Sequence, residues 1–369
     1  MKNINVLFEE TSTTKICISN DYKYVFQKDS GSFIRCGSTL KDDPLFSPIG
    51  PEILDLEVST ICHGLGTPCS WCYKGSTPKG RNMSFETFKT IFHKMPKTLT
   101  QIAFGIGDLG GNSDLFKIME YCRTNPHTQV IPNITINGYN LTDEYAKKLV
   151  NLCGAVSVSR YTPKDVCYDA VKKLTDLGLK QCNIHALVAN QTKEDCFDLM
   201  KDIQTDSRLK NLNAVVFLLL KPKGSRNKLT SISLEDYKKI IRYAMDNKIR
   251  VGTDSCAAPL FMKSLNEKEL EDNLDFIESC ESFGLFSSYV NVDGDYFPCS
   301  FAEGVGEWKK GISVLNCNDF LKDIWFSEKL KMWRDISLAG SSKCDCRFKK
   351  HCRPCPIYNI TPCKEGRNE

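Results

Sequence analysis

The stretch Ile53–Tyr73, ILDLEVSTICHGLGTPCSWCY, decides the fold and places three thiols in one loop. Its first seven residues, Ile53–Ser59, are rich in apolar side chains and predict a β-strand. Cys62, Cys69 and Cys72 follow that strand. Three thiolates on one loop are suited to hold three irons of a four-iron cluster and to leave the fourth iron open. The alternative is a structural zinc loop, which requires four ligands and prefers shorter spacings.

The remaining cysteines favour metal sites. The chain has 369 residues and 19 cysteines. Some cysteines stand alone within strand-like or helix-like patterns and predict small buried side chains: Cys17, Cys36, Cys122, Cys153, Cys167, Cys182, Cys196 and Cys317. Most of the others concentrate at residues 62–72 and 280–363. A disulfide scaffold is typical of small secreted domains, so this distribution favours metal ligation.

Charge and hydropathy argue against several classes of protein. The net charge of +4 is spread over segments of both signs and gives little support for nucleic-acid binding. The first residues, Met1–Glu10, contain no apolar stretch of signal-peptide length. No apolar run reaches the ~18 residues that a membrane helix needs. We therefore expect a cytoplasmic protein with no membrane partner.

From residue 53 onwards, strand-like and helix-like segments alternate. The predicted strands are Ile53–Ser59, Gln101–Gly105, Val130–Ile136, Ala155–Ser159, Gln181–Val188 and Ala214–Leu220. The predicted helices are Phe85–Lys94, Asp114–Arg123, Asp143–Leu152, Asp165–Leu177, Lys193–Gln204 and about Leu234–Asn247. This alternation predicts an α/β fold with a parallel sheet. Either a partial (β/α)6 TIM-like barrel or an ordinary doubly wound sheet would satisfy it.

The flanking segments differ in composition from this central region. Residues 1–50 predict a short N-terminal β segment with three strand-like runs: Lys15–Ser19, Tyr22–Gln27 and Phe33–Cys36. Residues 51–250 form the predicted barrel. Residues 251–369 are rich in cysteine, glycine and aromatic side chains and predict a small cluster-binding domain.

The cluster loop resembles that of the radical S-adenosylmethionine (SAM) enzymes, in which it also follows the first barrel strand. An aromatic residue, Trp71, precedes the last cysteine, as in that superfamily. Six residues separate Cys62 from Cys69, where three are usual, whereas the spacing from Cys69 to Cys72 is standard. The resemblance covers about residues 50–363.

Further matches follow the predicted strands, where a parallel barrel builds its site. Gly107-Asp108 resembles the Gly-Gly-Glu motif that receives the amino group of SAM, although the pair alone is also typical of a plain turn. Glycine permits a close backbone approach, and a carboxylate accepts from an ammonium group. Asn137 is similar to the polar end of the third strand in the family. Ser157 and Ser159 match serines that reach the ribose or carboxylate of SAM.

The C-terminal cysteines resemble the SPASM-type domain of these enzymes. Cys280, Gly294 and Cys299 fit the first half of its pattern. The second half is Cys344-x-Cys346-x5-Cys352-x2-Cys355 followed by Cys363, with two gaps each one residue shorter than usual. Zinc knuckles use similar short spacings, so zinc is the alternative here.

The resemblance implies two auxiliary [4Fe–4S] clusters. The implied ligands of the distal cluster are Cys344, Cys346, Cys352 and Cys363. The implied ligands of the proximal cluster are Cys280, Cys299 and Cys355. Cys256 is a candidate fourth ligand, and the alternatives are an open iron or a ligand from the substrate.

The resemblance also implies an activity. In radical SAM enzymes, a reduced [4Fe–4S] cluster cleaves SAM to methionine and a 5′-deoxyadenosyl radical, which abstracts hydrogen from a substrate. The implied partners are a peptide or protein substrate and an electron donor such as flavodoxin or ferredoxin. Ser300 stands where sulfatase-maturing relatives have aspartate, so sulfatase maturation is not assigned. The alternatives are a non-catalytic iron–sulfur or zinc protein in electron transfer or sensing, and radical SAM modification of a nucleotide or tRNA.

Overall fold

The N-terminal part of the chain is a small antiparallel sheet. The computed structural model describes residues 6–274, 277–342, 344–349 and 351–360. Four strands pair in chain order: β1 (Leu7–Glu10), β2 (Thr14–Ile18), β3 (Lys23–Gln27) and β4 (Phe33–Cys36). The three predicted strands of this segment are observed, and β1 is a fourth strand that was not predicted.

Six strand–helix pairs follow. They are β5 (Ile53–Glu57) and α1 (Phe85–Lys94), β6 (Gln101–Gly105) and α2 (Leu115–Thr124), β7 (Ile131–Ile136) and α3 (Asp143–Leu152), β8 (Ala155–Ser159) and α4 (Asp165–Asp176), β9 (Gln181–Val188) and α5 (Lys193–Thr205), and β10 (Ala214–Leu219) and α6 (Leu234–Asp246). The six strands pair in parallel and in chain order. The predicted strands and helices of this region are confirmed.

The C-terminal part extends the same sheet at both edges. Its elements are β11 (Val251–Thr253), α7 (Ala258–Ser264), α8 (Glu267–Asn273), β12 (Ser287–Val290), β13 (Asp295–Phe297), β14 (Ile312–Ser313) and α9 (Glu328–Ala339). β11 pairs in parallel with β10, and β12 pairs in parallel with β5. The result is one ten-stranded sheet in the order β11-β10-β9-β8-β7-β6-β5-β12-β13-β14.

The helices cover one face of this sheet. Ser84 caps α1 by accepting the Thr87 N–H at 3.1 Å, as its position in the sequence indicates. The buried face of α1 includes Phe88, whose ring centroid lies 6.4 Å from that of Phe104 on β6. Alternate residues of a strand point to opposite faces. The other face of the parallel strands therefore carries the polar side chains: Asp55, Asn133, Thr135, Ser157 and His185.

The sheet curls so that its distant strands approach each other. Lys223 follows β10, and its ammonium donates to the carbonyl oxygens of Ser300 at 3.0 Å and Glu303 at 2.8 Å. Ser300 and Glu303 follow β13, which lies near the opposite edge of the sheet. These contacts require a strongly curved sheet, as in a partial barrel, and place residues 299–303 across its carboxyl end.

The N-terminal sheet covers the other end of the strands. Lys15 donates to the carbonyl oxygen of Leu99 at 2.6 Å and to Thr128 Oγ1 at 2.7 Å, just before β6 and β7. Arg35 lies 2.8 Å from Glu52, which directly precedes β5. The N-terminal segment therefore lies away from the cluster loop. Within the described ranges, no helix has the length and apolar character needed to span a membrane.

Candidate functional site

The three loop cysteines lie together at the carboxyl end of β5. All three are half-buried. Burial raises the pKa of Cys62 to about 11, and the thiols of Cys69 and Cys72 are close enough to contribute in the same direction. Backbone hydrogen bonds hold the loop, including one from the Cys62 N–H to the Thr77 carbonyl oxygen at 3.1 Å. The structure thus brings the predicted triplet together.

Gly107, which follows β6, packs its backbone against this loop. The N–H of the next residue, Asp108, donates to the Ile61 carbonyl oxygen at 3.0 Å. A Cβ atom on Gly107 would lie 2.3 Å from that oxygen and 2.4 Å from Cys62 Cβ. Only glycine fits this contact without moving the loop.

We expect Gly107→Ala to displace the cluster loop. The new methyl group would overlap backbone and a ligand side chain, so the reconstituted variant should lose about four irons per chain, one cubane. Gly252→Ala is the matched control, because a Cβ there meets nothing nearer than Val216 Cγ2 at 3.8 Å. Iron analysis of the two variants checks this expectation, and full iron in Gly107→Ala would contradict it.

Asp108 connects the loop to the neighbouring strand ends. Its Oδ2 accepts the His63 N–H at 2.9 Å and lies 2.6 Å from His63 Nδ1. Its Oδ1 lies 3.5 Å from Asn137 Nδ2. Asp108 and Asn137 are therefore adjacent, in agreement with their predicted grouping. His63 was missed by the sequence reasoning, although its position next to Cys62 could have indicated it.

The remaining predicted SAM-binding residues lie on or beside β8. Ser157 is on the polar face of the sheet and is 8% exposed. Ser159 lies near the hydroxyl of Tyr161, whose ring centroid is 6.0 Å from that of Trp71. His185 lies next to Ser159 in the sheet. Burial lowers the pKa of His185 to about 4, so its imidazole is neutral at pH 7.

Four C-terminal cysteines form a second group. Burial raises the pKa of Cys280 to about 12, with further contributions from Cys299 and Cys355. Burial also raises the pKa of Cys256, and the thiols of Cys280 and Cys299 raise it further. Cys256 therefore lies near Cys280 and Cys299, two of the three cysteines implied as ligands of the proximal cluster.

The distal cysteines are described only in part. Cys344, Cys346 and Cys352 are half-buried in the C-terminal segment. The Cys346 N–H donates to Cys344 Sγ at 3.3 Å. Cys363 lies outside the described residues.

Hydrogen bonding separates the predicted ligands from the isolated cysteines. Four predicted ligands accept a backbone N–H from two or three residues later: Cys62 from Gly64, Cys299 from Phe301, Cys344 from Cys346 and Cys355 from Tyr358. Three isolated thiols instead donate to carbonyl oxygens: Cys167 to Val158, Cys196 to Leu187 and Cys317 to Val314. Accepting N–H groups suits a thiolate, and hydrogen bonds to sulfur tune cluster potentials. Donating to a carbonyl suits a neutral buried thiol.

The described thiols do not form a site for a single metal ion. Within the described part of the chain, no three His, Cys, Asp or Glu side chains converge as they would on one metal ion. The ligands of a cubane bind different irons and therefore stand farther apart than the ligands of a single zinc ion.

A polar cavity of about 330 Å³ lies beside the cluster loop. The Lys74 ammonium contacts the Glu303 carboxylate and lies 3.1 Å from Glu57 Oε1. It also donates to the Tyr289 hydroxyl at 2.5 Å. Burial lowers the pKa of Lys223, which lines the same cavity, to about 8. The cavity thus offers charged groups of both signs next to the predicted cluster.

Comparison with solved structures identifies the architecture. The chain matches Streptococcus suis SuiB bound to the precursor peptide SuiA, with a TM-score of 0.67 and 14% identity. The match covers 96% of this chain and 95% of the SuiB chain. It also matches anSMEcpe with bound AdoMet and the Cp18Cys peptide, over 82% of this chain and 88% of the other, with a TM-score of 0.59 and 18% identity. Both proteins are radical SAM enzymes with SPASM-type domains.

This chain shares the fold of these two enzymes. The resemblance found in its motifs is thereby confirmed as a likeness of the whole architecture. No family model and no curated protein matches the sequence. In this fold, the loop with Cys62, Cys69 and Cys72 follows the first strand of the parallel series.

Proposed function

We propose that this chain is a radical SAM enzyme that cleaves SAM and abstracts hydrogen from a peptide or protein. The observation that carries the proposal is the loop of Cys62, Cys69 and Cys72, which packs against Gly107-Asp108 at the carboxyl end of the parallel strands. A site at that end is typical of parallel barrels.

The residues of the loop and the strand ends have distinct proposed roles. Cys62, Cys69 and Cys72 would hold a [4Fe–4S] cluster, which when bound with SAM supplies the 5′-deoxyadenosyl radical. Asp108 would accept from the ammonium group of SAM, because among the described residues its Oδ1 has only a long contact, 3.5 Å, with Asn137 Nδ2. The other proposed SAM contacts are Trp71, Gly107, Asn137, Ser157 and Ser159.

The C-terminal cysteines would hold two auxiliary [4Fe–4S] clusters. We assign Cys256, Cys280, Cys299 and Cys355 to the proximal cluster, since their thiols influence one another electrostatically. With four protein thiolates, each iron of this cluster would have a protein ligand and none would be open to the substrate. The cluster would therefore be suited to electron transfer. The distal ligands would be Cys344, Cys346, Cys352 and Cys363.

A peptide substrate is supported by the structural neighbours. Both SuiB and anSMEcpe were solved with a bound peptide. The charged cavity beside the loop, lined by Lys74, Lys223 and Glu303, would offer polar contacts to such a substrate. We further propose a cytoplasmic location and a flavodoxin or ferredoxin as the electron donor.

The proposal is tested by anaerobic reconstitution with iron and sulfide. Reduced protein mixed with SAM should form 5′-deoxyadenosine, measured by mass spectrometry. The protein should contain about 12 irons per chain if three four-iron clusters are present. Stoichiometric zinc without 5′-deoxyadenosine would refute the proposal and favour the non-catalytic alternative.

We expect Asp108→Asn to weaken SAM binding. The substitution keeps the size of the side chain but removes the charge that would bind the SAM ammonium group. Loss of a charge-assisted hydrogen bond should raise the SAM concentration for half-maximal cleavage about tenfold or more. Iron content should stay at the wild-type level. An unchanged SAM requirement would exclude Asp108 from the binding site.

A further inference from the structure

Two stacked rings connect the cluster loop with the proximal cysteine group. Tyr73 directly follows Cys72 in the sequence. Its ring stacks on that of Phe301, with centroids 4.3 Å apart and an interplanar angle of 26°. The Phe301 N–H donates to Cys299 Sγ at 3.4 Å. One ring contact and one hydrogen bond therefore complete a continuous path from Cys72 to Cys299.

The surroundings of the stack hold it in place. Tyr73 and Phe301 are both half-buried, and the Tyr73 hydroxyl lies near Ser300. The Lys221 ammonium lies 4.9 Å from the Phe301 ring centroid, and that of Lys223 lies 5.9 Å from the Tyr73 ring centroid. Cations near the ring faces stabilise this pair.

The curl of the sheet creates this path. Gly224, after β10, approaches the loop so closely that a Cβ on it would lie 2.8 Å from the Cys72 carbonyl oxygen. Lys223 simultaneously binds the carbonyl oxygens of Ser300 and Glu303. The turn after β10 therefore clamps the end of the cluster loop against residues 299–303, and this holds the two rings in contact.

We infer that the Tyr73–Phe301 ring pair is the electron bridge between the loop cluster and the proximal auxiliary cluster. This inference rests on the proposed function. In one transfer, the auxiliary cluster is oxidised by one electron and the loop cluster is reduced by one electron. No bond forms or breaks, and no other reductant takes part. Electron tunnelling is faster through bonds and contacting rings than across a gap, so the stack shortens the effective path.

The bridge predicts that electrons stored in the auxiliary cluster reach SAM. Reconstituted full-length protein is reduced with dithionite, freed of reductant and mixed with excess SAM. Samples frozen at intervals are measured by electron paramagnetic resonance and assayed for 5′-deoxyadenosine. In the wild type, the signal of the reduced proximal cluster should decay while product continues to form after the first equivalent.

Phe301→Leu should slow this decay several-fold, because leucine keeps the bulk but removes the ring. Phe301→Tyr and Tyr73→Phe keep the stack. In these two variants the signal of the reduced proximal cluster should decay at the wild-type rate. Tyr121→Leu, on α2, is the matched control for loss of a packed ring elsewhere. The first equivalent of 5′-deoxyadenosine is the internal standard for every protein, and iron content verifies that both clusters are present.

The outcomes separate this inference from the proposed function. Absence of 5′-deoxyadenosine in the wild type would refute the proposed function. If 5′-deoxyadenosine forms and the signal of the reduced proximal cluster decays at the same rate in wild type and Phe301→Leu, only the bridge is refuted. An auxiliary signal that never forms or never decays in the active wild type would refute the bridge as well.

Discussion

Replacement of Cys62, Cys69 or Cys72 by alanine is expected to abolish 5′-deoxyadenosine formation. Each thiol lies on the loop after β5 and would hold a different iron, so no single one is dispensable. Loss of the loop cluster should lower the iron content by about four per chain. The auxiliary clusters should remain, because their cysteines lie in a separate group. Iron analysis and a SAM cleavage assay on the three variants check this expectation.

Cys167→Ala provides the control for this series. Cys167 is 1% exposed and its thiol donates to the Val158 carbonyl oxygen at 3.8 Å, so it serves as a buried side chain. Its replacement should cost about 1 kcal/mol of stability and leave iron and SAM cleavage intact. Wild-type turnover in any loop variant would remove that cysteine from the proposed site.

The central fold could be predicted because its signals are local. The strand Gln101–Gly105 and the helix Asp143–Leu152 were predicted with the boundaries that the structure has. Helix α1 was recognised from the 3.6-residue spacing of Phe88, Ile91 and Phe92 and from the cap at Ser84. Each of these signals depends on neighbouring residues and needs no tertiary contact.

The C-terminal strands were missed because tertiary pairing specifies them. β12 is only four residues long, and its partner β5 lies more than two hundred positions earlier in the chain. β11 is three residues long and pairs with β10. Such short runs carry no period of their own, so the sequence predicts for this segment only a small cluster-binding domain rich in cysteine, glycine and aromatic residues.

The sequence predicts candidate ligands for the site but not the contacts that support them. Cysteine spacing and the Gly107-Asp108 pair are visible in the sequence. The contact of Asp108 with His63 depends on where the loop folds back. The stack of Tyr73 on Phe301 joins positions far apart in the chain. Only the curled sheet brings these residues together.

Lys74→Met is expected to destabilise the protein strongly. Lys74 links the cluster loop to Glu57 at the end of β5 and to Glu303 after β13. Glu57 is 5% exposed, so removal of the ammonium group would leave a buried carboxylate without its cation. Breaking one side of a buried ion pair costs about 3 to 5 kcal/mol. Lys89, whose half-buried side chain lies 3.3 Å from the exposed Glu86 on α1, is the control, and Lys89→Met should cost about 0.5 kcal/mol or less.

The loss in Lys74→Met should depend on pH in a defined direction. Burial already raises the pKa of Glu57 in the wild type, and Lys74 opposes that shift. Without Lys74 the folded-state pKa rises further above the unfolded value of about 4.3. Between the two values the folded state binds more protons than the unfolded state, so stability falls as pH rises. The difference between variant and wild type should therefore be largest near neutral pH and shrink toward about pH 5. Denaturation curves across this range check the sign, and a difference independent of pH would show that Glu57 is not the group left unpaired.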